Sequence, residues 1–195
     1  MSIAAARKQP ETQKHWTDER LVAECRKGNQ EAWSALLEKY KNLIFSIPIK
    51  LGLYQEAADI FQSVCLDLLT DLPKLREPRA LAKWLMQTCY HKCLRHKHSS
   101  QAEVPIDDQS ENFPAANVEL PEDLFLQLER EQMLRNAISK LPPRCANLIR
   151  MLFFETPPRP YNLIAEDLNL ASGSIGFIRG RCLAKLRREL EKRGF

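Results

Sequence analysis

Apolar residues recur along most of this chain at steps of three and four, the spacing of helices with one buried face. The first such stretch opens at Thr17, a cap residue followed by Asp18 and Glu19. It carries Leu21, Val22 and Cys25 on its apolar face and stops at Gly28-Asn29. A second starts at Gln30 or Glu31 and runs through Trp33, Leu36, Leu37, Tyr40, Ile44, Ile47 and Leu51, with Pro48 expected to kink it and Gly52 to end it. The third, about Glu56 to Leu72, places Ile60, Phe61, Val64, Cys65, Leu68 and Leu69 inward and Asp59, Gln62, Ser63 and Asp67 outward. After a basic loop framed by Pro73 and Pro78, a fourth runs from about Arg79 to His98 over Leu81, Trp84, Leu85, Cys89 and Leu94.

The periodicity then lapses. Residues 99–120 are rich in Ser, Pro, Asn and acids and read as a linker. It resumes in a helix from Pro121 to Leu141 with Leu124, Leu128 and Leu134 among its apolar positions. Pro142-Pro143 breaks and restarts it, and Arg144 to Phe154 contributes Leu148, Ile149, Leu152 and Phe153. Past the Pro-stiffened turn of residues 155–160, the stretch Tyr161 to Leu190 spells a helix-turn-helix. Ile164 and Leu168 seal its first helix, and Ile175, Ile178, Cys182 and Leu186 continue the stripe on its second. Ala165 is small where the two must approach, Asn169 tolerates a left-handed turn, and Ser172 or Ser174 offers a cap. The predicted fold is all-α: two small helical domains joined by a flexible acidic linker, the C-terminal one containing the helix-turn-helix. The expected boundaries are 1–16 for a flexible tail, 17–98 for the first domain, 99–120 for the linker and 121–195 for the second domain.

Net charge is only +4, yet the charges are segregated. From residue 172 onward seven Lys or Arg face two acids, a balance of seven minus two, or +5. The stripe leaves Ser174, Gly176, Phe177, Arg179, Gly180, Arg181, Lys185 and Arg188 outward, a basic face suited to a major groove, with base edges near its first turns and phosphates beyond. Between residues 72 and 98 seven cations accompany one acid and are interleaved with Trp84, Tyr90 and His91, the mixture that holds a single strand by charge and stacking, although Trp84 is expected mainly in the core. From 101 to 131 nine acids meet one base.

Other function classes lose ground on the same residues. The six cysteines (Cys25, Cys65, Cys89, Cys93, Cys145 and Cys182) each sit in a helical pattern and read as free thiols of a cytoplasmic protein. Nothing at the N-terminus resembles a signal peptide, and no run of eighteen apolar residues predicts a membrane span. Cys89, Cys93 and His96 share a helix face at metal-compatible spacing, against the simpler reading of core thiols beside solvated histidines. No phosphate-cradling glycine loop and no nucleophile-base constellation is present, so neither catalysis nor a cofactor or metal is expected.

Several of these residues also resemble a known family. Leu21-Val22, Gly28-Asn29, Ala32-Trp33 and Leu36 to Tyr40 are followed by Ala58-Asp59-Ile60-Phe61-Gln62-Ser63-Val64 and by Trp84-Leu85 with Arg95. Further on come Leu141-Pro142-Pro143-Arg144 and Ile164-Ala165-Glu166-Asp167-Leu168. Their order resembles the small two-domain bacterial sigma factors of the extracytoplasmic-function type, over about 17–98 and 121–190. The resemblance implies an N-terminal sigma domain 2 that binds the clamp of core RNA polymerase through Asp59, Gln62 and Ser63. That domain would hold the melted minus-ten element of promoter DNA with Lys74, Arg76, Lys83, Tyr90, His91 and Arg95. It implies a C-terminal sigma domain 4 that grips the polymerase flap and reads the minus-thirty-five element with Ser174 to Lys185 and Arg188. An inhibitory anti-sigma factor is a partner class it leaves open. The chain departs from the family at His91, where Asn is frequent, and at Phe177-Ile178, where Ser-Arg is frequent. A stand-alone helix-turn-helix regulator, binding duplex sites without polymerase, is the rival reading.

Overall fold

The computed structural model describes residues 16–101, 118–192 and 194, and among these all regular structure is helical. The tail up to residue 15 and the acidic stretch 102–117 lie outside the described residues. The chain divides into two compact units, Met1–Leu120 and Pro121–Phe195.

Unit 1 contains α1 (Asp18–Arg26), α2 (Gln30–Lys50), α3 (Ala57–Asp71) and α4 (Leu81–Gln101), with 3-10 turns at Leu72–Lys74 and Pro78–Ala80. α2 packs against α1, α3 and α4, and α4 also packs against α3. Leu21, Val22, Leu36, Ile44, Ile47, Val64, Leu68 and Leu85 are buried in the seam between them. The start signal predicted at Thr17 holds, and Asn29, read in the sequence only as part of a stop, also caps α2. Thr17 Oγ1 accepts from the Arg20 N–H, and Asn29 Oδ1 accepts from the N–H groups of Glu31 and Ala32. At the end of α2, Gly52 takes φ +81°, and Leu53 N donates to the Pro48 carbonyl while Gly52 N donates to that of Ile49. This is the paired bond of a left-handed C-terminal cap.

Pro48 lies inside α2, whose helical structure runs on to Lys50. Proline has no N–H to offer, so the carbonyl four residues back, on Ile44, loses its intrahelical donor. Cys89 of α4 supplies one: its thiol donates to the Ile44 carbonyl at 3.4 Å in the core. A helix defect and a buried thiol thus satisfy each other across the α2–α4 seam. A second polar anchor sits on α1, where Asp18 Oδ1 accepts from the Tyr40 hydroxyl at 2.7 Å and from Lys39 Nζ at 2.8 Å.

Three expectations for unit 1 are corrected. α4 begins after a 3-10 turn and continues through Gln101, so helix replaces the first residues assigned to the linker. Leu69 is exposed, because Ile60, Val64 and Leu68 already fill the buried face of α3 at steps of four. Trp16 is half-buried and sits under the Arg20 guanidinium, 4.7 Å from its ring centroid, so it belongs to the folded unit and not to the tail.

Unit 2 contains α5 (Glu122–Ser139), α6 (Pro143–Phe153), α7 (Tyr161–Asp167) and α8 (Ile175–Glu191). α8 packs on both α5 and α6, and its Ile175, Cys182 and Leu186 join Ala137, Ile138, Leu148, Ile149, Ile164 and Ala165 in one core. Phe153, expected inward, is exposed as the last residue of α6, beyond the buried Leu148 and Ile149. Cys145 and Cys182 form a disulfide between α6 and α8, with Cα atoms 5.3 Å apart, which overturns the expectation of six free thiols. Spacing along each helix identified both as buried positions but carried no information on which positions the crossing of α6 and α8 would bring face to face. The other four cysteines are free, with Cys25, Cys89 and Cys93 buried. Burial, and secondarily the Glu24 charge, pushes the Cys25 thiol up to about 11.

Replacement of Tyr40 with Phe removes the buried donor to Asp18 and is expected to cost about 1–2 kcal/mol in denaturant unfolding at neutral pH. Burial, followed by the Asp18 charge and hydrogen bond, raises the Tyr40 phenol above its ordinary value. The folded state therefore holds this proton more tightly than the unfolded chain. The resulting stability is present below about pH 10 and is lost as pH rises beyond it. The stability gap between wild type and Tyr40→Phe should accordingly narrow above that pH, and a constant gap would refute the linkage. The disulfide closes a loop with a sequence separation of 37. Loop closure of that length corresponds to about 3–4 kcal/mol, so thermal melts with and without reductant should differ, with the loss confined to residues of unit 2.

Candidate nucleic-acid interface

The helix-turn-helix of unit 2 is built around its turn. α7 ends at Asp167 with Leu168 as its cap, and Asn169 follows with φ +50°, the one non-glycine residue at positive φ among the described residues. Asn169 N donates to the Glu166 carbonyl and Leu170 N to that of Ala165, the same paired cap seen after α2. Leu168 and Leu170 pack onto the unit 2 core from either side of the turn. The chain then makes a 3-10 turn at Ser172–Ser174 and enters α8. Neither serine caps α8 as expected. Ser174 Oγ instead donates to the Ala171 carbonyl at 2.7 Å, and the 3-10 turn supplies the lead-in.

α7 is also tied from outside. Arg159, in the Pro-rich turn before it, pairs with Asp167 at its far end (2.5 Å) and faces Glu155 at 3.9 Å. Ile164 and Ala165 bury its inner side.

The predicted outward face of α8 stands where spacing placed it. Gly176, Phe177, Arg179, Gly180, Arg181, Lys185 and Arg188 are exposed, and Ser174 is half-buried. Phe177 is 69% exposed, unusual for a large apolar ring, and the Arg181 guanidinium lies 5.8 Å from its centroid. A Cβ at Gly176 or Gly180 would meet open space. Glycine costs about 1 kcal/mol against alanine inside a helix, and internal packing does not account for either one. Arg179 Nη1 donates to the Tyr161 hydroxyl of α7 at 2.6 Å. Beyond the face, Arg187 pairs with Glu191 and Lys192 with Glu189, which neutralises part of the terminal charge.

The basic stretch of unit 1 is more divided than its composition suggests. Lys83, Gln87, His91 and Arg95 follow at steps of four along one face of α4. Lys83 and Arg95 are exposed, as are Lys74 and Arg76 in the loop before α4. Lys74 pairs with Asp71, Arg79 with Glu19, and Lys92 turns toward α3 to meet Asp67 at 2.8 Å. The Arg79 hydrogen bond holds the Glu19 carboxyl down at about 2.

Tyr90 must be removed from the strand-contacting set. It is only 8% exposed, because it lies four residues after Met86 and three before Cys93, on the buried side of α4. Its ring is core, and a signal for this existed in the apolar spacing of Met86, Tyr90 and Cys93. Trp84 is half-buried beside Leu68, Leu72, Leu75 and Leu81, at the edge of a shallow apolar seam.

His91 is engaged by the chain itself. Its Nε2 lies 2.9 Å from the Val118 carbonyl and 2.7 Å from Gln87 Nε2. Gln87 also donates to the Val118 carbonyl and accepts from Leu120 N at 3.1 Å. The last residues before unit 2 are therefore strapped onto the middle of the α4 basic face. Gln87 and Tyr161, both missed in the sequence, are the residues that organise the two surfaces.

Asp59 and Gln62 are exposed and Ser63 is half-buried on α3, beside the exposed Leu66 and Leu69. The Cys/His group does not converge. Cys89 and Cys93 are buried and share a thiol hydrogen bond, which together with burial raises Cys89, whereas the His96 ring faces Glu56 at 3.7 Å. Among the described residues no group of three or more His, Cys, Asp or Glu is placed to hold a metal. No described helix is long and apolar enough to cross a membrane.

No protein-family model matches the chain. Individual proteins do. The chain is 24% identical over 134 residues to the ECF RNA polymerase sigma-E factor of Escherichia coli strain K12, an alignment covering 65% of this chain and 70% of that protein. The proteins of the same name from Shigella flexneri and Salmonella typhimurium strain LT2 match with the same identity and coverage. The chain is thus distantly similar in sequence to proteins named ECF RNA polymerase sigma-E factors, and its described regular structure is all helical.

Proposed function

We propose that this chain is an alternative sigma factor that binds core RNA polymerase and directs it to specific promoters. The observation that carries this reading is the helix-turn-helix of unit 2, whose second helix presents Phe177, Arg179, Arg181, Lys185 and Arg188 outward from a buried stripe. In this role α8 enters the major groove of the minus-thirty-five element. Its first turns address base edges, Lys185 and Arg188 address phosphates, and the bare backbone at Gly176 and Gly180 leaves room for close approach. Unit 1 holds the melted minus-ten element through Lys74, Arg76, Lys83, His91 and Arg95, and meets the polymerase clamp through Asp59, Gln62 and Ser63. Unit 2 also contacts the flap, and the acidic segment between the units threads toward the transcript channel. The distant similarity to sigma-E factors supports the assignment at the level of sigma-factor function. Division of the contacts between two modules explains why a short helix-turn-helix suffices. Each grip supplies part of the affinity, and the polymerase links them.

Run-off transcription with purified core polymerase, followed by sequencing of the promoters selected, is the direct test. Addition of the chain should confer initiation at a defined set of sites. Tight footprinting of the same sites by the chain alone at moderate salt would instead identify a stand-alone regulator. Arg179→Ala and Arg181→Ala should each lose about 1–3 kcal/mol of discrimination at the upstream element where the side chain contacts a base edge. Retained discrimination in both variants would remove them from the reading surface. Asp59→Ala should weaken core-polymerase binding about fivefold or more, as truncation of an interface anchor does. An unaltered affinity places the clamp contact elsewhere.

A further inference from the structure

Three cations of unit 2 are paired with carboxylates: Arg159 with Asp167, Arg187 with Glu191, Lys192 with Glu189. Arg179 is held differently. Its Nη1 donates to the phenolic oxygen of Tyr161, at 2.6 Å across the helix-turn-helix. A neutral acceptor fixes the direction of a guanidinium without cancelling its charge. Arginine is a rotamer-rich side chain with five donors, and a bond through Nη1 leaves the Nε and Nη2 edge open as a two-donor fork.

Tyr161 is well placed to act as a tether. It is the first residue of α7 and follows the cap residue Pro160. Ile164 and Ala165, three and four residues on, are buried, and the Arg159–Asp167 ion pair ties the turn before α7 to its last residue. Tyr161 itself is 41% exposed, so burial of its ring does not explain a tyrosine here. Its hydroxyl reaches Arg179, one of two outward arginines in the second turn of α8, where a groove-bound helix meets base edges.

From this geometry we infer that Tyr161 is a positioning residue for sequence readout: it preorganises Arg179 so that its free fork meets a base edge with two acceptors, as on guanine, rather than a phosphate. The inference rests on the reading of α8 as the base-reading helix. A preorganised fork loses less freedom on binding, so its contribution is specific to the base it addresses. A phosphate contact, by contrast, would affect all sequences alike.

Two measurements on the full chain test this. Side-chain NMR of arginine-labelled protein without DNA, with Arg179 assigned through Arg179→Lys, should show an ordered Nε–Hε group in wild type and a mobile one in Tyr161→Phe. Equal mobility in both overturns the tether. Polymerase reconstituted with each variant is then presented with duplex promoters randomised across the upstream element. Tyr161→Phe should relax preference about three- to tenfold at one position, the same position relaxed by Arg179→Ala, and the double variant should lose no more than Arg179→Ala alone. Retained preference in Tyr161→Phe alongside loss in Arg179→Ala overturns the inference and leaves the proposed function standing. Even weakening at every position assigns Arg179 to phosphate and also overturns it. If the wild-type polymerase selects no sequence at all, the reading of α8 fails together with the base-edge role, while the NMR comparison still judges the tether separately.

Discussion

The helix-turn-helix depends on one residue in a left-handed conformation. Asn169 lets the chain leave α7, satisfy the carbonyls of Ala165 and Glu166, and drop Leu170 back onto the core within three residues of the helix end. Without that turn Leu168 and Leu170 could not both face the same cluster, which Ile175 of α8 joins together with Ile164 and Ala165 of α7. Asn reaches this region at lower cost than other residues with a Cβ except Asp, and the two backbone bonds offset what cost remains. Every outward side chain of α8 inherits its direction from this turn.

Unit 1 uses a related economy at the α2–α4 seam. Pro48 removes one backbone donor in the last turn of α2, and Cys89 donates in its place. The arrangement accounts for a cysteine at a fully buried position, where an alkyl side chain of similar size would leave the Ile44 carbonyl unpaired. Farther along the outward face of α4, Gln87 and His91 hold the Val118–Leu120 segment. On the proposed function, the basic face that meets the melted strand is therefore shared with the connector that leads to unit 2.

Charge was a less direct guide than spacing. The basic stretch before and along α4 contains seven cations, yet Lys74, Arg79 and Lys92 are paired with Asp71, Glu19 and Asp67, so the face owes its character to where charges point and not to their number. Tyr90 shows the same point for aromatic residues: it lies within a stretch rich in cations, but its neighbours at steps of three and four are Met86 and Cys93, and burial follows the latter. Leu69 and Phe153 erred in the opposite direction, being apolar residues left outside once the buried faces of α3 and α6 were filled.

By itself the sequence determined the all-helical class, the eight helices of the described residues to within a few residues, the cap at Thr17, the turn at Asn169, and the outward face of α8. These are local matters, set by backbone preferences and by a periodicity of three to four residues that a linear pattern records. Only the tertiary structure decided that Cys145 meets Cys182, that Cys89 answers Pro48, that Val118 lies against His91, and that Tyr161 holds Arg179. Each of those pairs joins residues far apart in the chain, across a helix crossing or a returning segment, and crossing geometry is fixed by the packing of whole faces, which no single stretch of sequence contains.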